Sequence, residues 1–535
     1  MTDRTALTRT AKLIAKDMAA GRMGPKSKLA MQDLSAAPED VIGIVELLIA
    51  EGAKNKPSDD LIAALAFMLG YGLENVRYGV ERADKGLIAL AARLRELLIA
   101  RGETGRISPP ILLLVLHQFG SAKLEVGDEL RELMQQLMED DEEAFAATAR
   151  GEGADYFARM AAELDHDPFA IHGCLSETGA AMPEDLLAGM LMATFGDGLP
   201  ALREAAVGFL VSGPGPAGAK AAELIELAAP HKLVSPTMLR RMIAMRNWLP
   251  AADQPALDKA LEACRKAAVV CAPAPYVSVR DVMVSGIDGS GACTVLVVAE
   301  SGGEQQVCGI LLKQDIGVRD AWVKHGLTPA EVGEMLGHVG GEVGLARSTM
   351  AYVALAVRHF LATNIASGVR PPFGLLDVCE TVGLSDIAPE VLPVDTLVAT
   401  LCDAILPAQL TPAAVTATLR ESADWLHDPI MLASWFEHGV TAGLGGKAAP
   451  RARQLAVLLA GPLQARRRRW AEVVAWTALS LKHQPDADGW HAYAIVAREL
   501  LGARPLDEIG IMQVIAEMTL DVADAERLRG ARHAA

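Results

Sequence analysis

The sequence predicts a mainly α-helical protein with one small antiparallel β unit inserted mid-chain. Three observations predict it. Apolar residues return at three- and four-residue spacing over most of the chain, proline-led helix starts recur, and between Pro273 and His325 the pattern changes to two-residue alternation broken by glycine-rich turns. Hydrophobic residues make up 51% of the 535 positions but aromatics only 4%, so the cores have to be assembled from Ala, Leu, Val, Ile and Met. Ala and Leu are strong helix formers, and such side chains let helices approach closely. At 56.5 kDa the chain is too long for one core. The expected division is a helical domain at 1–150, a helical-repeat domain at 151–270, a β unit at 271–325 and a C-terminal helical domain at 326–535.

Helix starts are written locally. Ala37-Pro38-Glu39-Asp40 and Met182-Pro183-Glu184-Asp185 put proline in the first turn and acids beside the positive helix end. Ser235-Pro236, Thr328-Pro329 and Thr411-Pro412 set a hydroxyl N-cap before a proline whose missing N–H costs nothing there. Glu331, three residues beyond Thr328, completes a capping box. In the N-terminal domain the stripe Leu61, Leu65, Met68, Gly72, Val76, Val80, Ala83, Leu87, Leu90, Leu94 and Leu98 predicts one long helix near 61–98, kinked or broken at Gly70 and Gly72. Glu74, Arg77 and Glu81 are expected as an ion-pair ladder on its exposed side.

Further along, helices are expected to open near Asp155, Pro168, Pro183, Leu199, Ala217, Pro236 and Gln254, about 13 to 19 residues apart. Pairs of such helices match the period of known helical repeats. The spacing resembles a HEAT-type α-solenoid of stacked helical hairpins, a resemblance of period and patterning without a shared consensus.

Tyr276–Ile287, Cys293–Val298 and Gln306–Leu312 are β-rich runs joined by Asp288-Gly289-Ser290-Gly291 and Ser301-Gly302-Gly303. They predict a three-stranded meander, too small to stand without helices packed on it, with Trp322 and Val323 covering one face. A helix at Leu345–Ile365 follows, with soft joints at Gly340-Gly341 and Gly443–Ala449. Gly337–Gly344 lacks the preceding strand of a dinucleotide fingerprint and the lysine of a P-loop, so a helix connector is expected there.

The composition narrows function. A formal charge of −17 disfavours a general nucleic-acid binder. Seven cysteines without a C-x-x-C pair, and no apolar run long enough to span a bilayer, point to a reducing, cytoplasmic setting without membrane contact. The opening Met1-Thr2-Asp3-Arg4 leads into an amphipathic stretch rather than a secretory leader. The acidic run Glu139–Glu143 reads as a solvated helix junction.

No nucleophile motif is present, and no cofactor is expected. Asp165, His166, Asp167 and His172 combine carboxylates with imidazoles and could serve a metal-dependent hydrolase, although Asp-Pro, here and in His427-Asp428-Pro429, is an ordinary cap and first-turn pair. Arg466, Arg467, Arg468 and Arg469 beside Trp470 form the one basic concentration and are partner-binding candidates, suited to a carboxylate-rich partner or to a local phosphate or nucleic-acid contact. Five of seven tryptophans fall in the last quarter, and Trp470, Trp476 and Trp490 are candidates for a partner-binding face. The reading that accommodates these features is a helical-repeat scaffold that binds another protein.

Overall fold

A computed structural model describes residues 4–82, 84–139, 153–180, 182–196, 198–212, 216–384, 386–427, 434–441, 450–485 and 488–534. The acidic run from Asp140 onward, Asp428-Pro429 and the Gly443–Ala449 joint lie outside them. The chain divides into two compact units, Met1–Ser235 with Glu262–Ala267, and Pro236–Leu261 with Ala268–Ala535.

The first unit is helical among its described residues. Its helices are α1 (Arg4–Ala19), α2 (Pro25–Ala36), α3 (Asp40–Gly52), α4 (Asp59–Glu81), α5 (Lys85–Glu103), α6 (Pro109–Ser121) and α7 (Asp128–Glu139), then α8 (Gly153–Glu163), α9 (Pro168–Ala180), α10 (Glu184–Gly196), α11 (Pro200–Val207), α12 (Phe209–Ser212) and α13 (Ala217–Ala228). Leu, Ile, Val and Met from α1 to α7 share one core, in which Ile14, Ile44, Leu48, Met68, Leu69, Leu94 and Leu112 are wholly buried.

The single long helix expected at 61–98 is two. Asp84 accepts hydrogen bonds from the backbone N–H groups of Gly86 (2.7 Å) and Leu87 (3.1 Å), which starts α5 afresh after α4 ends. The stripe reads as continuous because each helix turns the same apolar spacing into one core. Gly70 and Gly72 stay inside α4. A Cβ on Gly72 would lie 2.6 Å from Val41 Cγ1, so that glycine is where α3 comes close, rather than a hinge. The expected exposed ladder is also corrected: Arg77 is buried and bridges Glu81 (3.1 Å) and Glu74 (3.4 Å) from the inner side.

The second unit holds α14 (Pro236–Met245) and most of α15 (Gln254–Lys266), then strands β1 (Ser278–Ser285), β2 (Ala292–Ser301), β3 (Glu304–Lys313) and β4 (Gly317–Leu327). After them come α16 (Pro329–Val343), β5 (Leu345–Arg347), α17 (Met350–Ser367), α18 (Gly374–Val382), α19 (Val394–Asp403), α20 (Pro412–Glu421), α21 (Arg451–Ala460), α22 (Pro462–Ala465), α23 (Arg467–Lys482), α24 (Trp490–Leu501) and α25 (Gly510–Ala534). Helices open within two residues of each start expected between Asp155 and Gln254. Thr328 and Glu331 form the expected capping box of α16, and Thr411 accepts the Ala414 N–H.

The sheet has five antiparallel strands in the order β4-β3-β2-β1-β5, not three. Val295 faces Ile310 and Val297 faces Cys308 in the central pair, and β2 is buried continuously from Val295 to Ala299. β4 escapes a pattern reading because Arg319, Asp320, Lys324 and His325 interrupt its apolar residues and leave no two-residue alternation in this edge strand. Its edge is partly closed by a side chain that copies a neighbouring strand: Asn364 accepts the Val318 N–H (2.8 Å) and donates to the Val318 (3.3 Å) and Ile316 (3.1 Å) carbonyls. Trp322 stands across Gly309 and remains 38% exposed.

β5 lies within the segment expected to be helical from Leu345. It pairs with Met283–Ser285, and the Thr349 hydroxyl caps α17 at Tyr352, so the helix begins at Met350. Gly337, Gly340 and Gly341 lie inside α16 rather than forming a connector. The break comes at Gly344, whose φ of +64° is open to glycine.

Candidate functional site

The sequence-derived clusters come apart when their partners are traced. Asp165 and His166 adopt left-handed backbone conformations (φ 51° and 56°) and close α8, the His166 N–H donating to Ala161 O at 2.7 Å. Asp167 accepts the Phe169 N–H at 3.0 Å and opens α9. His172 is buried: its Nδ1 lies 3.0 Å from Ala205 O, its ring meets Phe209 edge-on at 4.8 Å, and Gly208 passes close against it. Burial pulls its pKa down to about 4, so it is a neutral core imidazole at pH 7. Asp165 and His166 are exposed while His172 is not, and no group of three or more His, Cys, Asp or Glu among the described residues is placed to hold a metal. Burial also pushes the Cys293 thiol up to about 12 and raises those of Cys308 and Cys379, which leaves them poor nucleophiles.

The four arginines point in different directions, as consecutive positions on a helix must, and each is engaged within its own unit. Arg466 and Arg469 bond Glu437, the latter at 3.4 Å. Arg469 also donates to Gly289 O (2.6 Å). Arg467 donates to the C-terminal carbonyls of α24, Leu500 O (2.5 Å) and Glu499 O (2.7 Å). Arg468 pairs with Asp395 on α19, and that guanidinium lowers the Asp395 pKa.

Glu437 is the residue that sequence reading missed. Its side chain is 4% exposed and takes both guanidiniums and the Trp470 indole N–H (2.9 Å), while its backbone N–H donates to Thr519 Oγ1 (3.0 Å). The β1–β2 turn docks beside it. Asp288 accepts from Ser290 and Ala292 to shape the turn, Trp435 Nε1 donates to Ile287 O (2.8 Å), and a Cβ on Gly289 would strike the Ser434 carbonyl. The geometry is that of an internal clasp.

Trp470 and Trp476 are likewise inward. Trp476 is 2% exposed and sits among His359 (4.8 Å), Phe360 (5.5 Å) and Tyr352 (6.4 Å). Trp490 is half-buried beneath Lys482, whose Nζ lies 4.7 Å from its ring. A cleft of about 370 Å³ in the first unit is lined by Asp128, Arg131, Glu132, Gln135 and Glu184 among others. Arg131 there is held by Asp128 (2.7 Å) and Ala180 O (3.3 Å).

Exposed aromatic surface instead gathers on α4. Ala63, Phe67, Tyr71, Glu74 and Tyr78 recur at spacings of four, four, three and four, so they share one face, and all are solvent-facing. Phe67, Tyr71 and Tyr78 are 42%, 38% and 46% exposed in a chain with only six tyrosines and ten phenylalanines. The Arg77 guanidinium lies 4.4 Å from the Tyr78 ring centroid and steadies it from the inner side. The sequence contains this signal as the face opposite the apolar stripe, but the buried stripe is the more conspicuous of the two.

The architecture is thus a mostly helical chain with an inserted five-stranded antiparallel sheet. Residues 183–268 match the family described as the Y4lR second domain, and residues 395–524 match the Y4lR C-terminal helical domain. Over 468 residues, covering 85% of this chain and 88% of the relative, the sequence is 25% identical to a Sinorhizobium fredii (strain NBRC 101917 / NGR234) protein described as uncharacterized protein y4lR. That description names no activity. No solved structure matches. No helix among the described residues is long and apolar enough to cross a membrane.

Proposed function

We propose that this chain is a protein–protein interaction scaffold whose helices, stacked as HEAT-like hairpins, present the α4 face to a protein partner. One observation carries the reading: three aromatic side chains aligned outward on a single helix of an aromatic-poor protein. Exposed aromatics of this kind supply large apolar area at small entropic cost and dominate binding where they are buried. The hydrolase and phosphate-contact readings have no such support, because the residues that prompted them serve as caps, core and internal ion pairs.

A photo-cross-linking amino acid at position 71 tests the proposal in a native extract. The expected result is a discrete cross-linked protein band that disappears when Phe67 and Tyr78 are changed to Ser, with thermal unfolding unchanged. Diffuse labelling, or a band that survives both changes, overturns it.

A further inference from the structure

We infer that the partner of the α4 face is a second copy of the chain, with the two α4 helices lying antiparallel across a two-fold axis beside Gly72 and Leu73. This rests on the reading of that face as an interface and adds the identity of its occupant. The argument is one of self-complementarity. In an isologous pair each contact occurs twice, and residues facing each other have numbers of constant sum. One register satisfies the whole stripe. Phe67 faces Tyr78 of the second copy, so aromatic meets aromatic. Tyr71 faces Glu74, so a phenol donates to a carboxylate that is 53% exposed and only loosely held by Arg77 at 3.4 Å.

The ends agree with the middle. Asp59 and Asp60 are exposed at the N-terminal end of α4, and Lys85, the first residue of α5, is exposed just past its C-terminal end. The antiparallel arrangement sets this acidic end of one α4 beside the C-terminal end of the other, just past which Lys85 opens α5. It also opposes the helix dipoles. A parallel pairing would set Asp59, Asp60 and Glu74 against themselves, and like charges across an interface are strongly disfavoured. A single 23-residue helix, about 35 Å long, offers an interface at the small end of the specific range, so association is concentration-dependent and weakened by salt.

Sedimentation equilibrium of the full chain over a wide concentration range is the test. The wild type is expected to pass from 56.5 kDa toward twice that mass. Phe67→Ser with Tyr78→Ser should raise the dissociation constant about 30-fold or more, the loss expected for buried aromatic anchors. Asp60→Lys should weaken the dimer and Asp60→Lys with Lys85→Asp should restore it, since the swap recreates the pair with reversed sign. Circular dichroism identical to the wild type shows that each variant is folded.

A wild type that stays monomeric throughout overturns the inference, and the cross-linking band then decides alone whether another protein uses the face. A dimer that survives the loss of both aromatics removes α4 from the interface. A charge swap that fails to restore association overturns the register.

Discussion

Glu437→Ala is expected to destabilise the second unit by about 3–5 kcal/mol, the range for a buried ion pair that loses one partner. The carboxylate gathers Arg466, Arg469 and the Trp470 indole at a side chain only 4% exposed. Removing it leaves the less exposed of the two cations, Arg469, with Gly289 O and an uncompensated charge, and leaves a fully buried indole N–H without an acceptor. The β1–β2 turn should loosen with it, because Arg469 and Trp435 both bond that turn. All seven tryptophans belong to the second unit, so fluorescence excited selectively at tryptophan in a urea titration reads this unit alone. A midpoint shift equivalent to less than about 1 kcal/mol, the scale of an exposed ion pair, would show that Glu437 is not the clasp described.

Acidification is expected to cost the first unit about 3 kcal/mol between pH 6.5 and pH 4 through His172. Its folded pKa of about 4 lies below the ordinary 6.5, so in that window the unfolded chain binds a proton that the native core refuses. The contribution is complete above pH 6.5 and is lost as the pH falls through the window toward the folded value. The fall from 6.5 to about 4, at roughly 1.36 kcal/mol for each tenfold change in proton affinity, sets the size. The first unit holds no tryptophan, so the readout is hydrogen exchange at amides of α9 to α13 as a function of pH. His172→Gln should flatten the slope across that window. An unchanged slope would mean that other groups govern the acid response.

Two kinds of residue account for what was and was not legible before the structure. Pro168, Pro183, Pro236, Pro329 and Pro412 mark helix starts because a proline in the first turn is a local matter, settled within a few residues. The Thr328–Glu331 box is local in the same sense. β4 and β5 were not legible as strands, since an edge strand need bury only part of one side and three residues carry no period. The Asp84 cap lies within a continuous apolar stripe that hides it. Glu437 had no signal at all: its neighbours Phe436 and His438 give no hint that Arg466, Arg469 and Trp470 converge on it from about 30 residues away.

By itself the sequence determined the helical character, the mid-chain change to β structure and the places where most helices begin, because capping, proline geometry and side-chain period act over one or two turns. Only the tertiary structure decided which polar and aromatic groups face inward. Burial is a property of the surface brought against a residue, and that surface comes from elsewhere in the chain. The same Arg and Trp chemistry could therefore have made a docking face or a core clasp, and packing assigned the clasp to Arg466–Trp470 and the outward aromatic stripe to α4.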